Sequence, residues 1–155
     1  MVGGISAPAS TNSTLCASGI ALSQGTTVNM FYNSVLLNYV CTSATNKSAA
    51  LSIEVNSPTS VLYSNNIFIN KTDATNGTLA AAFRKGSSAG TSYILNLAEG
   101  SDNNLYYAGT PGAKNLIFYD IVKAYQTLEE YQTYVGTKNI DANAISEDVP
   151  FISGV

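Results

Sequence analysis

From about residue 15 onward, apolar and polar positions alternate with a period of two more often than with the 3.6 of a helix. The clearest case is Ala49, Leu51, Ile53 and Val55, with Ser52 and Glu54 between them, which predicts a half-buried strand. Val35, Leu37, Tyr39 and Cys41 alternate in the same way. Leu36 and Val40 on the opposite face are also apolar, so this strand is expected to be covered on both sides. Tyr93, Leu95 and Leu97 form a third run, and shorter ones lie at 19–22, 27–32, 61–63, 67–69, 78–83 and 105–108. Turn residues separate them: Asn56-Ser57-Pro58, Ser64-Asn65-Asn66, Asn76-Gly77, the Gly/Ser-rich stretch 86–90, Gly100-Ser101-Asp102-Asn103 and Pro111-Gly112. Short strands at this spacing predict a mainly β chain, an immunoglobulin-like or jelly-roll-like β-sandwich. One segment departs from the pattern. Phe118, Ile121, Val122, Tyr125, Leu128, Tyr131 and Val135 recur at helical spacing, with Gly136 as a stop, predicting one amphipathic helix near 116–135. Its first residues, 116–119, could equally open as a strand. No internal repeat is evident in the pattern.

Composition narrows the function. The chain has 155 residues, and only 11% are charged. Ser, Thr, Asn, Ala and Gly together account for 79 of them, there is no His, and the net charge is −3. Without His there is no imidazole base, His metal ligand or imidazole pH switch. Seven scattered basic residues argue against a nucleic-acid partner. No apolar run is long enough to span a membrane. The first residues have neither a basic nor an apolar signal region, so they do not read as a signal peptide. The first charged side chain is Lys47, and eight of the ten acidic residues lie from Glu99 onward.

Cys16 and Cys41 can form one disulfide or remain two buried thiols. The Ser/Thr/Asn-rich context favours the disulfide and an extracellular setting. Asn12, Asn46, Asn70 and Asn76 each open a glycosylation sequon, about what chance gives in a chain so rich in these residues. Catalytic motifs are weak. Gly86-Ser87-Ser88-Ala89-Gly90 matches the hydrolase elbow but has no His to serve it, so a hairpin loop is the better reading. A Ser–Lys dyad would need a desolvated lysine, and neither Lys85 nor Lys114 has an apolar sequence context. Glu54, Glu99, Asp102 and Asp120 are candidate carboxylates for glycoside hydrolysis, but only Glu54 and Asp120 interrupt apolar runs, and a solvent-facing strand or helix position explains each. Asp102, Asn103 and Asn104 with Glu99 could ligate calcium, but an Asx turn accounts for them. The tyrosines are expected mostly in the core, with one of Tyr106 and Tyr107 facing outward. No enzyme activity, metal or cofactor is expected.

The opening segment, 1–14, is uncharged and too weakly apolar to fold alone. Val2 begins it, and Ile5, Ala7 and Ala9 share one face of a period-two run. It reads as an arm ahead of a single β domain spanning 15–155, able to add a strand to a neighbour. With this arm, the Ser/Thr/Asn-rich body, the sequons and the Cys pair, the chain resembles secreted β-sandwich fibre subunits assembled by donor-strand complementation, namely archaeal thread or bundling-pilus proteins and TasA-like fibre proteins. That resemblance implies a non-enzymatic subunit of an extracellular, head-to-tail homopolymer, with 1–14 as donor strand and an acceptor groove in the body. Ser34–Cys41 and Tyr93–Leu97 are candidate groove strands. The alternatives are a carbohydrate-binding or adhesin module using exposed tyrosines and the 102–104 loop on surface glycans, and a virion capsid or tail protein.

Overall fold

The computed structural model describes residues 1–151 except 13, 55–57, 87–93 and 121. The chain is mainly β. Its strands are β1 (Ala17–Leu22), β2 (Thr27–Phe31), β3 (Ser34–Leu37), β4 (Lys47–Ile53), β5 (Ser60–Ser64), β6 (Ile67–Asn70), β7 (Leu79–Lys85), β8 (Leu105–Tyr107), β9 (Asn115–Tyr119) and β10 (Ala124–Tyr125). Each of the shorter runs in the alternating pattern is a strand or contains one.

The pairing differs from that of an immunoglobulin-like or jelly-roll-like sandwich, which is built from antiparallel strands. One sheet runs β1-β4-β7-β9-β10, a second β2-β5 and a third β3-β6-β8. Every pair is parallel except β9–β10. From β1 to β9, consecutive strands therefore never pair with each other; only β9 and β10 do. The chain visits the three sheets in turn and then lands one rung higher on the first, which is the path of a parallel β-helix. The structural repeat is Ala17 beside Ser48, Val35 beside Phe68 and Phe68 beside Tyr106, steps of 31, 33 and 38 residues. Unequal steps hide this repeat from a search at fixed period.

The interior is graded from small to large. At the first rung Gly19 lies so close to β3 that an added Cβ would sit 2.2 Å from Val35 Cγ1, so only glycine fits there. Later rungs are filled by Phe68, Phe83, Tyr106 and Phe118, with Phe83 and Phe118 edge to face at 5.2 Å. Helix α1 (Leu128–Val135) covers this aromatic end. It begins with a reciprocal capping box between Thr127 and Glu130 and buries Tyr131 and Val135. Tyr131 stacks on Phe118 at 5.1 Å. The helix is thus shorter than the 116–135 periodicity suggested. Residues 115–119 pair with β7, and the Asp120 carboxylate turns the chain by accepting from the Val122 and Lys123 N–H groups.

One corner of every rung uses the same device. Tyr32, Asn65 and Asn103 take positive φ (56°, 58° and 56°) and each is followed by an asparagine. Asn33 Nδ2 donates to Asn66 Oδ1 at 3.0 Å, Asn66 Nδ2 to Asn104 Oδ1 at 3.0 Å, and Asn104 Nδ2 to Asp141 Oδ1 at 2.8 Å. The backbone N–H groups of Asn33 and Asn66 also donate to the amide oxygen one rung up. This ladder satisfies turn groups that the sheets cannot reach.

Candidate functional site

The two ends of the β-helix are built differently. At the far end, the β2–β5 sheet is continued by a bridge from Val61 to Leu97. Beyond it Lys138, leaving the short 3-10 turn Gly136–Lys138, donates its ammonium to the carbonyls of Ile94 (3.0 Å), Leu95 (2.9 Å) and Leu97 (2.7 Å). That edge is sealed by a charge. Helix α1 and β10 close the remainder of this end.

At the near end, residues 1–12 form only part of a rung. Val2 N–H donates to Ser34 O at 2.8 Å and Val2 O accepts from Leu36 N–H at 3.0 Å, so Val2 extends the third sheet beyond β3. Ile5 and Ala7 pack on Ala17, Tyr39 and Cys41. Asn46 Nδ2 donates to Ala7 O, and Thr42 N–H to Pro8 O. Ala9 is exposed and does not share their face. Val2, Ile5 and Ala7, expected to serve a neighbour, thus lie against their own chain, because the β3 edge and the Tyr39 pocket lie within their reach. The expected boundary between arm and body at 14/15 is crossed by these contacts.

The arm packs on Ala17 at the start of β1 but leaves the outer edges of β1 and β2 without a paired strand. Among the described residues no strand or bridge pairs with the outer edge of either. In β2 the direction of the free groups can be worked out. Ser60 N–H donates to Thr26 O, and the register with β5 is continuous, so even-numbered residues face β5. The backbone groups of Thr27, Asn29 and Phe31 face outward, with Phe31 O accepting from Asn33 Nδ2. Phe31 (43%) and Tyr32 (81%) are exposed beside this edge. No charged side chain occurs before Lys47. An unpaired strand edge without lysine, proline or a covering element is what soluble β proteins ordinarily avoid.

The other candidates resolve as follows. Cys16 and Cys41 are free thiols, not a disulfide. The Cys16 sulfur instead contacts the carbonyl oxygens of Asn12 and Ser10, while Cys41 is buried with Tyr39, its thiol pushed up by burial and by Cys16. Asn46 and Asn70 are fully buried. Asn46 accepts from the Tyr39 hydroxyl, and Asn70 donates to Ser48 Oγ and Ala81 O. Neither can carry a glycan in the folded chain, whereas Asn12 and Asn76 are exposed. Asp102 accepts from the backbone and side chain of Asn143, and Asn104 turns inward to the ladder, so the 102–104 loop is used in holding the turn. Of the tyrosines, Tyr63, Tyr106 and Tyr131 are fully buried, and Tyr107 is the outward member of its pair. Lys85 overturns its sequence context. It is fully buried, donates to Glu54 O at 2.6 Å, and burial lowers its pKa to about 8. The serines at 87 and 88 and the rest of the 86–90 motif after Gly86 lie outside the described residues, as do the Tyr93 end of one expected groove strand and Val55.

Two features escaped sequence reasoning. Asp141 is fully buried, and its Oδ2 accepts from the hydroxyls of Tyr106 (2.8 Å), Tyr131 (3.0 Å) and Tyr63 (3.3 Å). Burial raises its pKa to about 6 against the opposing pull of Asn104 and the three hydroxyls. Closed to solvent, it ties the ladder to the cap and offers no access to a substrate. An open groove of about 530 Å3 also runs along Lys71, Asp73, Tyr107, Lys114 and Asp148. Its cations are already engaged: Lys71 pairs with Asp148, and Lys114 donates to Ala74 O and Thr75 O. No family model matches this chain, and the curated proteins and the solved structures give no match either. The fold and the open edge therefore carry the functional reading by themselves.

Proposed function

We propose that this protein is a non-catalytic structural subunit of an extracellular homo-assembly, and that it associates through the open end of its β-helix. The single observation that carries the reading is the unpaired outer edge of β1 and β2 on a rung with no charged side chain. A repeat fold needs a polar cap at each end to remain solitary, and one end here lacks it. Strand addition to such an edge supplies main-chain hydrogen bonds, while the exposed Phe31 and Tyr32 supply apolar area. The role expected of 1–14 passes to these edges, since the arm is occupied on its own body. The sparse ionisable surface supports the extracellular placement, with which the exposed sequon residues Asn12 and Asn76 are compatible. Light scattering coupled to gel filtration tests the reading. Purified full-length chain is expected to run as a defined multiple of 16.2 kDa. A monomer at every concentration up to about millimolar, where Kd corresponds to only ~4 kcal/mol, would refute it.

A further inference from the structure

We infer that the partner at the open edge is a second copy of this chain, docked head to head about a twofold axis through Asn29, so that assembly closes at a dimer. The inference rests on the assembly reading and specifies its geometry. Three observations lead to it. First, among the described residues the β2–β5 sheet has an unpaired edge at β2 and an engaged one at the other end. There the Lys138 ammonium occupies the carbonyls of Ile94, Leu95 and Leu97. Head-to-tail stacking would press a neighbour's β2 against that sealed edge and displace the ammonium from three acceptors. A heterologous contact of this kind is what an open filament requires.

Second, the open end is compatible with itself. Like charges placed opposite one another across a twofold axis repel, but residues 1–46 carry no charged side chain. Third, β2 is self-complementary. Its outward groups belong to Thr27, Asn29 and Phe31, spaced evenly about Asn29. A twofold axis at Asn29 makes two copies of β2 antiparallel. Asn29 then exchanges both backbone hydrogen bonds with its symmetry mate, and each Phe31 N–H meets the opposing Thr27 carbonyl. The side chains of Thr27, Asn29 and Phe31 share the exposed outer face, so Phe31 of each copy packs beside Thr27 of the other. The contact is isologous and leaves both Lys138-sealed ends pointing away.

The test is sedimentation velocity of the full-length chain, with circular dichroism confirming the fold of each variant. Wild type is expected as dimer. Asn29→Lys places two ammonium groups face to face on an exposed position and is expected to weaken the dimer about tenfold or more. Asn29→Glu alone should do the same, and an equimolar mixture of the two variants should recover a heterodimer. Recovery requires that residue 29 meets residue 29, which a general loss of folding could not produce. A dimer indifferent to both substitutions would overturn the edge assignment. Open-ended oligomers or filaments in wild type would overturn the closed geometry while leaving the assembly reading intact. A strictly monomeric wild type would overturn both.

Discussion

Asp141 offers the sharpest quantitative test of the fold, because no histidine titrates in the same range. Its carboxylate ends the asparagine ladder and receives three tyrosine hydroxyls in a site closed to water. In the unfolded chain an aspartate titrates near 3.8, whereas burial raises the native value to about 6. Between those values the native state holds the proton more tightly than the unfolded state does. Unfolding free energy must therefore fall as pH rises through this window. The full difference is about 3 kcal/mol, and between pH 4.5 and 7 the expected loss is ~2 kcal/mol. Asp73, Asp102 and Glu130 have carboxyl pKa values lowered by hydrogen bonds, so their opposing contribution is gained as pH rises to and through the ordinary carboxylate range and is nearly complete above it. Urea titrations at several pH values, followed by tyrosine fluorescence, measure the slope. Asp141→Asn removes the ionisation and should flatten the curve between pH 4.5 and 7. At pH 4.5 the native carboxyl is protonated and donates one hydrogen, whereas the amide nitrogen donates two and accepts none, so the hydroxyls of Tyr63, Tyr106 and Tyr131 must reorient and the variant should be less stable than wild type by about 1–3 kcal/mol. Wild-type stability that rises from pH 4.5 to 7, or a variant that keeps the wild-type slope, would refute the assignment.

Further outcomes follow from particular contacts. Asn66→Ala should destabilise the chain by about 2–3 kcal/mol, measured by urea denaturation, because the Asn33 backbone N–H loses its acceptor and Met30 O and Asn104 Oδ1 each lose a donor, and Asn33→Ala at the open end should cost less. Deleting residues 1–9 should leave a folded but less stable chain with new hydrogen exchange at Leu36, whose N–H loses Val2 O. Intact mass under denaturing, non-reducing conditions should show two alkylatable thiols, with Cys16 reacting before buried Cys41 in the native protein. In a glycosylating host, peptide mapping should find modification at Asn12 or Asn76 and none at Asn46 or Asn70.

Much of this molecule could be read from its one-dimensional pattern. The mainly β character, the positions of most strands and the outward turn of Tyr107 follow from period-two alternation, which depends only on the pleat. The core placement expected of most tyrosines holds for Tyr39, Tyr63, Tyr106 and Tyr131, whereas Tyr107, Tyr119, Tyr125 and Tyr134 are half-buried and Tyr32 is exposed. The charge-free first 46 residues, which become the open rung, were visible in the same way. Even the ladder left a trace, since Asn33, Asn66 and Asn104 each precede an apolar strand by one or two residues.

What only the tertiary structure decided was which strand lies beside which. Alternation is the same whether a strand pairs with its neighbour in sequence or with one 31 to 38 residues away. The parallel winding is set by interior fit, such as Gly19 against Val35 and Phe83 against Phe118. Burial of Asn46, Asn70, Lys85 and Asp141 follows from that winding, and so does the pairing of Val2 with its own β3. Each depends on residues far away along the chain. Local sequence specifies a side chain's chemistry, but the free energy of placing that group depends on neighbours that only the folded rungs bring to it.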